Sequence, residues 1–272
     1  MTRDDIITLA EKFICDSSDN YISENVALSS KCVGKKIYDA PIFAFGSPDD
    51  EIYIKYKSFS VIGSHFLNPA EWLSSTKTVI SFFLPYTDAI NQANAADSNY
   101  PADEWLHGRY EGQQLLSQLL EYLVKTMSEA GFKSIAPSND QRYKTGNAEK
   151  NIENTSNWSE RHIAYACGLG TFGLSKGIIT KKGMSGRFGS VLTELNLPKD
   201  SRGYSDVYEH CNMCGACVDR CPANAISIEH GKQSELCRDF LRNTWEKYNP
   251  RYGCGKCQTG VPCESTNKIY MV

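Results

Sequence analysis

The stretch Cys211-Asn212-Met213-Cys214-Gly215-Ala216-Cys217-Val218-Asp219-Arg220-Cys221-Pro222 decides how this chain is read. Cysteines at intervals of three gather three thiolates on one turn of backbone around a cubane iron-sulfur cluster, and the fourth, followed by proline, ligates the other cluster in two-cluster carriers. Cys237, Cys254, Cys257 and Cys263 supply a second set, so eight of the eleven cysteines lie beyond residue 210. The spacing predicts crossed ligation of two [4Fe-4S] clusters: Cys211, Cys214, Cys217 and Cys263 hold the first, and Cys221, Cys237, Cys254 and Cys257 hold the second. Cys263 departs from the usual pattern, because five residues separate it from Cys257 and proline precedes it. The chain is expected to move electrons.

Two other uses of cysteine fit less well. Structural zinc takes its four ligands in pairs and has no need of a three-cysteine run ending in Cys-Pro. A disulfide framework suits short secreted chains, whereas this one has 272 residues and opens Met1-Thr2-Arg3-Asp4-Asp5, without the apolar core of a signal peptide.

A chain of this length with 41% hydrophobic residues can bury one substantial core and carry a small appended module. A formal charge of −3 gives no electrostatic reason to expect nucleic acid, since phosphate binding needs clustered Lys and Arg. The longest apolar run, residues 78–84, is too short to span a bilayer. The protein is expected to be soluble and cytoplasmic, with no membrane partner.

Apolar residues at helical spacing predict an amphipathic helix over 4–15 and a long one over 112–130, closed by Gly131. Residues 41–46 and 51–56 are expected as short strands, 76–85 as a buried central strand, and 138–158 as a long polar surface loop. Residues 159–167 have a helical pattern, and strands are expected over 176–180 and 186–194, paired through a turn at Lys181-Lys182-Gly183. Gly168-Leu169-Gly170-Thr171-Phe172-Gly173 matches GxGxxG, with Glu194 about 20 residues on. A dinucleotide site requires strand before and helix after the glycines, the reverse of the order here. These glycines are better suited to ending a helix or letting backbone approach a flat group.

The segment Ser159-Glu160-Arg161-His162-Ile163-Ala164-Tyr165-Ala166-Cys167-Gly168-Leu169-Gly170-Thr171-Phe172-Gly173-Leu174-Ser175-Lys176, followed by the strand and the double cysteine set, resembles the epoxyqueuosine reductase family and, more remotely, the reductive dehalogenases. The similarity covers roughly residues 70–265. It implies an α+β chain: a nitroreductase-like α/β corrinoid-binding domain over 1–204, then a ferredoxin-like double [4Fe-4S] module over 205–272. It further implies that the segment from Ala166 to Gly173, including Cys167, lies against a cobalamin ring, and that the clusters relay electrons from a low-potential donor such as ferredoxin or flavodoxin.

Departures are visible. The family's proposed proton donor is an Asp two residues before an Ala-Pro pair, but Ser134 precedes Ala136-Pro137. A serine is a poor proton donor near neutral pH. The helical-repeat extension of longer members does not follow Cys263, and the twin-arginine leader of reductive dehalogenases does not open the chain. Tyr143, His162 and Tyr165 are candidate replacement acids, and Arg161 could bind an anionic substrate or a corrin amide. Cys15 and Cys32 are assigned structural roles. The expected function is a cobalamin-dependent reductase acting on a small substrate rather than on tRNA. A redox carrier or corrinoid-reactivating partner is the alternative.

Overall fold

A computed structural model describes residues 1–147 and 152–265. The chain runs through α1 (Arg3–Asp16), β1 (Ile42–Gly46), α2 (Ile52–Tyr56), α3 (Pro69–Trp72), β2 (Thr78–Pro85), α4 (Asp88–Ala96), α5 (Asp103–Glu129) and β3 (Ser134–Ile135). It continues with β4 (Thr145–Asn147), β5 (Ile152–Ser156), α6 (Glu160–Cys167), β6 (Gly170–Phe172), β7 (Ile178–Thr180) and β8 (Gly186–Thr193). The cysteine-rich part holds α7 (Ala216–Asp219), β9 (Ile226–Ser227), β10 (Gly231–Lys232) and α8 (Ser234–Tyr248).

β1, β2, β8 and β3 form an antiparallel sheet in that spatial order. Side chains of successive strand residues point to opposite faces, and both faces are covered. Phe45, Ile80, Phe82, Leu84 and Val191 meet α1 and the Leu115, Leu116, Leu119, Leu120, Leu123 stripe of α5. Ala44, Val79 and Leu192 face the other way, onto α6 and the rings of Tyr53, Tyr56, Phe66, Trp72 and Trp158. β2 is buried at all eight positions, as its unbroken apolar run requires, and full burial of each large side chain contributes about 1.5–3 kcal/mol.

The first helix and β2 lie where the periodicity places them, and four other segments differ. Residues 52–56 are helical rather than extended, because Asp50 caps the turn by accepting from the Ile52 amide at 2.9 Å and the two tyrosines, Tyr53 and Tyr56, turn inward together. α5 begins nine residues before the expected start, its first turn carrying Asp103 and Glu104. β8 does not pair with β7: it lies between β2 and β3, while β7 pairs with β6. The polar segment 138–158 holds the β4–β5 ladder, in which Thr145 faces Ser156.

The cysteine-rich part docks against α4 and α5. Arg251 pairs with Glu111, and the Lys256 ammonium, buried, donates to the Asn94 carbonyl at 2.7 Å. Gly255, at φ +70°, lies flat against Trp105, where any Cβ would overlap the indole ring. Among the described residues, no helix is long and apolar enough to cross a membrane.

Candidate functional site

The eight C-terminal cysteines are sorted into two cavities. Cys211, Cys214, Cys217 and Cys263 line one of about 430 Å³, whose other wall is apolar and includes Leu174, Ile179, Met184 and Val261. Cys221, Cys237, Cys254 and Cys257 line another of about 130 Å³, walled by Trp105, Arg109, Arg187, Lys232 and Phe240. The chain reaches these positions by left-handed turns at Met213, Gly215, Asn224, Gly253 and Gly255. α7 carries Cys217 and α8 carries Cys237. Cys263 is fixed through its carbonyl, which accepts from the Met184 amide at 3.0 Å. Cys221 Sγ accepts from the Ala225 amide at 3.2 Å.

The chemistry of each donor set suits a cationic cluster. Burial, and then the neighbouring thiols, push Cys217 up to about 11 and Cys254 and Cys263 up to about 12. Four crowded thiolates are stable only against positive charge, and iron supplies it. Among the described residues, no group of three or more His, Cys, Asp or Glu is placed to hold a single metal ion. Lys232 stands beside the smaller cage; burial lowers its pKa, but Cys257 and Cys237 outweigh this and hold it above its ordinary value.

A third and larger cavity, about 560 Å³, opens beyond the smaller cage and shares Arg109, Gly186, Arg187, Lys232, Leu241 and Gln258 with it. Its remaining wall includes Gln113 from α5, Ser138, Tyr143, Ser156, Trp158, and the α6 residues Glu160 and Arg161. Met184 lines both this cavity and the larger cage. The lining is mostly polar. Arg109 lies 4.3 Å over the Tyr252 ring, Arg161 donates to the Lys176 carbonyl at 2.8 Å, and Arg187 donates to Gln113.

The candidate residues separate. Tyr143 faces the large cavity and is held neutral by burial, with a pKa above its ordinary value. His162 does not face it: its ring is packed edge-on to Tyr56 and tilted against Phe172, Nδ1 lies 2.8 Å from the Ser159 hydroxyl, and burial drives its pKa down to about 3. Tyr165 is buried between Phe172 and Tyr204. The imidazole and the tyrosine are packed among rings and are absent from the lining of the large cavity.

The segment expected to face a flat cofactor is turned inward. Of Ala166, Cys167, Gly168, Leu169, Gly170, Thr171, Phe172 and Gly173, only Gly173 lines one of the three cavities. Cys167 is buried beneath Gly46, its thiol 3.7 Å from the Val79 carbonyl and its pKa raised by burial. Gly168 ends α6 at φ +96°. A Cβ on Gly170 would overlap the Ile179 carbonyl, so the absent side chain permits β6–β7 pairing. That hairpin serves the larger cage: Thr171 Oγ1 accepts from the His210 amide at 2.9 Å, directly before Cys211.

Ser134 is also away from the cavity. It is buried in β3, and its hydroxyl donates to Thr193 Oγ1 at 2.8 Å. Sequence reasoning passed over Glu160. This first residue of α6 lines the cavity with both carboxylate oxygens sealed and without a well-formed hydrogen bond. Burial raises its pKa to about 7, opposed by the nearby Ser190 and Ser138 hydroxyls and the Trp158 indole. Its signal in the sequence was slight, an acid at the start of a helix.

A family model for a 4Fe-4S binding domain matches residues 204–227. The epoxyqueuosine reductase of Bacillus anthracis is 25% identical over 213 residues, 72% of this chain and 50% of that protein. A tetrachloroethene reductive dehalogenase of Desulfitobacterium hafniense is 32% identical over 110 residues, 38% of this chain and 20% of that one. This chain therefore spans half or less of the length of these two relatives. A solved epoxyqueuosine reductase superposes with a TM-score of 0.54 at 15% identity, covering 96% of this chain and 65% of the other. It shows a shared mixed α/β fold. That structure holds a tRNA-Tyr epoxyqueuosine-modified stem loop, so whole-chain charge is no sound reason to set nucleic acid aside. A net charge is a sum over the whole chain, whereas a docking face is local. Together, the matched 4Fe-4S segment, the two groups of relatives and the common fold make this chain similar to the epoxyqueuosine reductases and, over a shorter stretch, to the reductive dehalogenases.

Proposed function

We propose that the chain is an iron-sulfur reductase in which two [4Fe-4S] clusters carry single electrons from a low-potential donor, such as ferredoxin or flavodoxin, to a corrinoid and a substrate in the large cavity. The carrying observation is the sorting of eight cysteines into two sets of four, one of which shares a wall with that cavity. Cys214 is exposed, which makes the larger cage the entry point for electrons. The smaller cage is the exit.

The cavity suits a corrinoid because its walls are broad and rich in donors that match amide side arms and a phosphate. Gln113, Gln258, Arg109 and Arg187 would hold such a group from the α5, β8 and cysteine-rich sides. When bound, a corrinoid supplies a metal that takes electrons singly and passes them on as a pair. The chain's own residues exclude bulk water, fix the ligand through the guanidinium groups of Arg109 and Arg187, and keep Tyr143 protonated beside it. A bare electron carrier or reactivating partner has no use for a buried carboxyl and tyrosine facing an inner cavity, and this favours a reductase with its own substrate. The substrate is an oxidised small molecule or a modified nucleoside in a tRNA stem loop, the latter by likeness to the solved relative.

Anaerobic reconstitution tests the reading. The protein should hold about eight irons, as two cubanes require, and should shift the absorbance of hydroxocobalamin on titration. Zinc, or half that iron, defeats the two-cluster reading; an unchanged corrinoid spectrum defeats the cofactor.

A further inference from the structure

We infer that Glu160 is the acid of the large cavity, the group from which a substrate reduced there takes its proton. The inference rests on the reductase reading and adds the residue that the sequence left unassigned. Glu160 sits on the cavity wall, on the first turn of α6, with both carboxylate oxygens cut off from solvent and without a well-formed hydrogen bond. A sealed, unpartnered carboxylate costs several kcal/mol unless it is neutral, so the fold favours the protonated form.

The groups around it are suited to a donor. Tyr143, on the segment before β4, is a neutral phenol facing the same cavity and close enough to feel the charge of Glu160. Ser138 lies after β3, Trp158 and Ser159 lead into α6, and the Trp158 indole donates to Ser190 of β8 at 2.9 Å. The charged groups facing the cavity are cations: Arg161 of α6, Arg187 of β8, Arg109 of α5 and Lys232 of β10. They favour the carboxylate left behind after donation, while burial opposes it. The balance puts the pKa near 7, where an acid can both give and recover a proton.

The step balances simply. The substrate gains two electrons from the low-potential donor through the clusters and one proton from the Glu160 carboxyl, whose O–H bond breaks. The carboxylate, sealed from water, is then reprotonated through Tyr143, which faces the cavity, and any second proton comes from solvent.

Infrared titration of the reconstituted protein, compared with Glu160→Gln and Glu160→Asp, tests this without a known substrate. Wild type should show a protonated carboxyl band that fades as pH rises through about 7, and Glu160→Gln should lack it. A band that survives in Glu160→Gln, or no such band in wild type, overturns the inference. Turnover is followed with an epoxyqueuosine-modified stem loop and with a bromophenol, using reduced viologen as the electron source. Where wild type acts on either, Glu160→Gln should fall by about 10²- to 10⁴-fold, and Glu160→Asp should retain part of the rate with a displaced pH profile. Equal rates in wild type and Glu160→Gln also overturn it. Iron content and reduced EPR signals should be the same in all three proteins. If wild type itself lacks clusters, the reductase reading has failed; if clusters are present and Glu160→Gln is unaffected, only the role of Glu160 has failed.

Discussion

The two cysteine cages are alike in ligands and unlike in surroundings. The larger is bounded by Leu174, Ile179, Met184 and Val261 and includes the exposed Cys214. The smaller is enclosed by Trp105, Arg109, Arg187 and Lys232 and opens toward the large cavity. Cationic neighbours favour the reduced, more negative form of a cluster. A cluster in the smaller cage is therefore expected to sit at the higher potential, and electrons entering at the surface run downhill toward the cavity. Identical ligand chemistry acquires direction from the walls around it.

The sharpest way to break this comparison is to remove the cysteine whose neighbours in sequence and in space differ. Cys221→Ala is expected to abolish the cluster of the smaller cage while the larger keeps its EPR signal. If instead the larger cage is emptied and the smaller persists, the crossed assignment is wrong. This is the largest expected effect, the loss of a whole cluster.

A smaller effect is expected at Gly170. A valine there meets the Ile179 carbonyl, and overpacking of this kind costs typically about 1–3 kcal/mol. The damage should travel through Thr171 and His210 to the larger cage, lowering thermal stability and iron content there. Corrinoid affinity of the fraction that remains folded should be unchanged. A variant of normal stability that binds corrinoid poorly would restore the glycine loop to the cofactor surface.

The finest test addresses charge alone. Lys232→Gln removes one positive charge from the wall of the smaller cage. The potential of that cluster should fall, and that of the other should move less. Potentiometric EPR titration measures both, and equal shifts would remove the distinction between the cages.

Much of this organisation is legible in the chain itself. The cysteine spacing contains the division into two sets, because a Cys-x2-Cys-x2-Cys run can wrap only one cluster and must send its fourth thiolate elsewhere. The apolar runs of α1 and β2 determine those elements, since a continuous β-rich stretch has to be buried on both faces. The resemblance of residues 159–176 points to the same relatives that the comparisons find. It does not indicate how that segment faces.

Tertiary structure decided the rest. That β2 lies beside β8 depends on pairing across more than a hundred residues, which no local pattern specifies. Gly170 serves its own hairpin, because the Ile179 backbone, distant in no motif, occupies the space that a side chain would need. Ser134, His162 and Tyr165 are chemically able groups that packing has closed off, whereas Glu160 is an ordinary surface residue by composition and becomes an acid only where desolvation outweighs the nearby hydroxyls. Residue type sets what a group can do, and the sequence displays it; burial sets whether it does so, and burial is a property of the assembled fold.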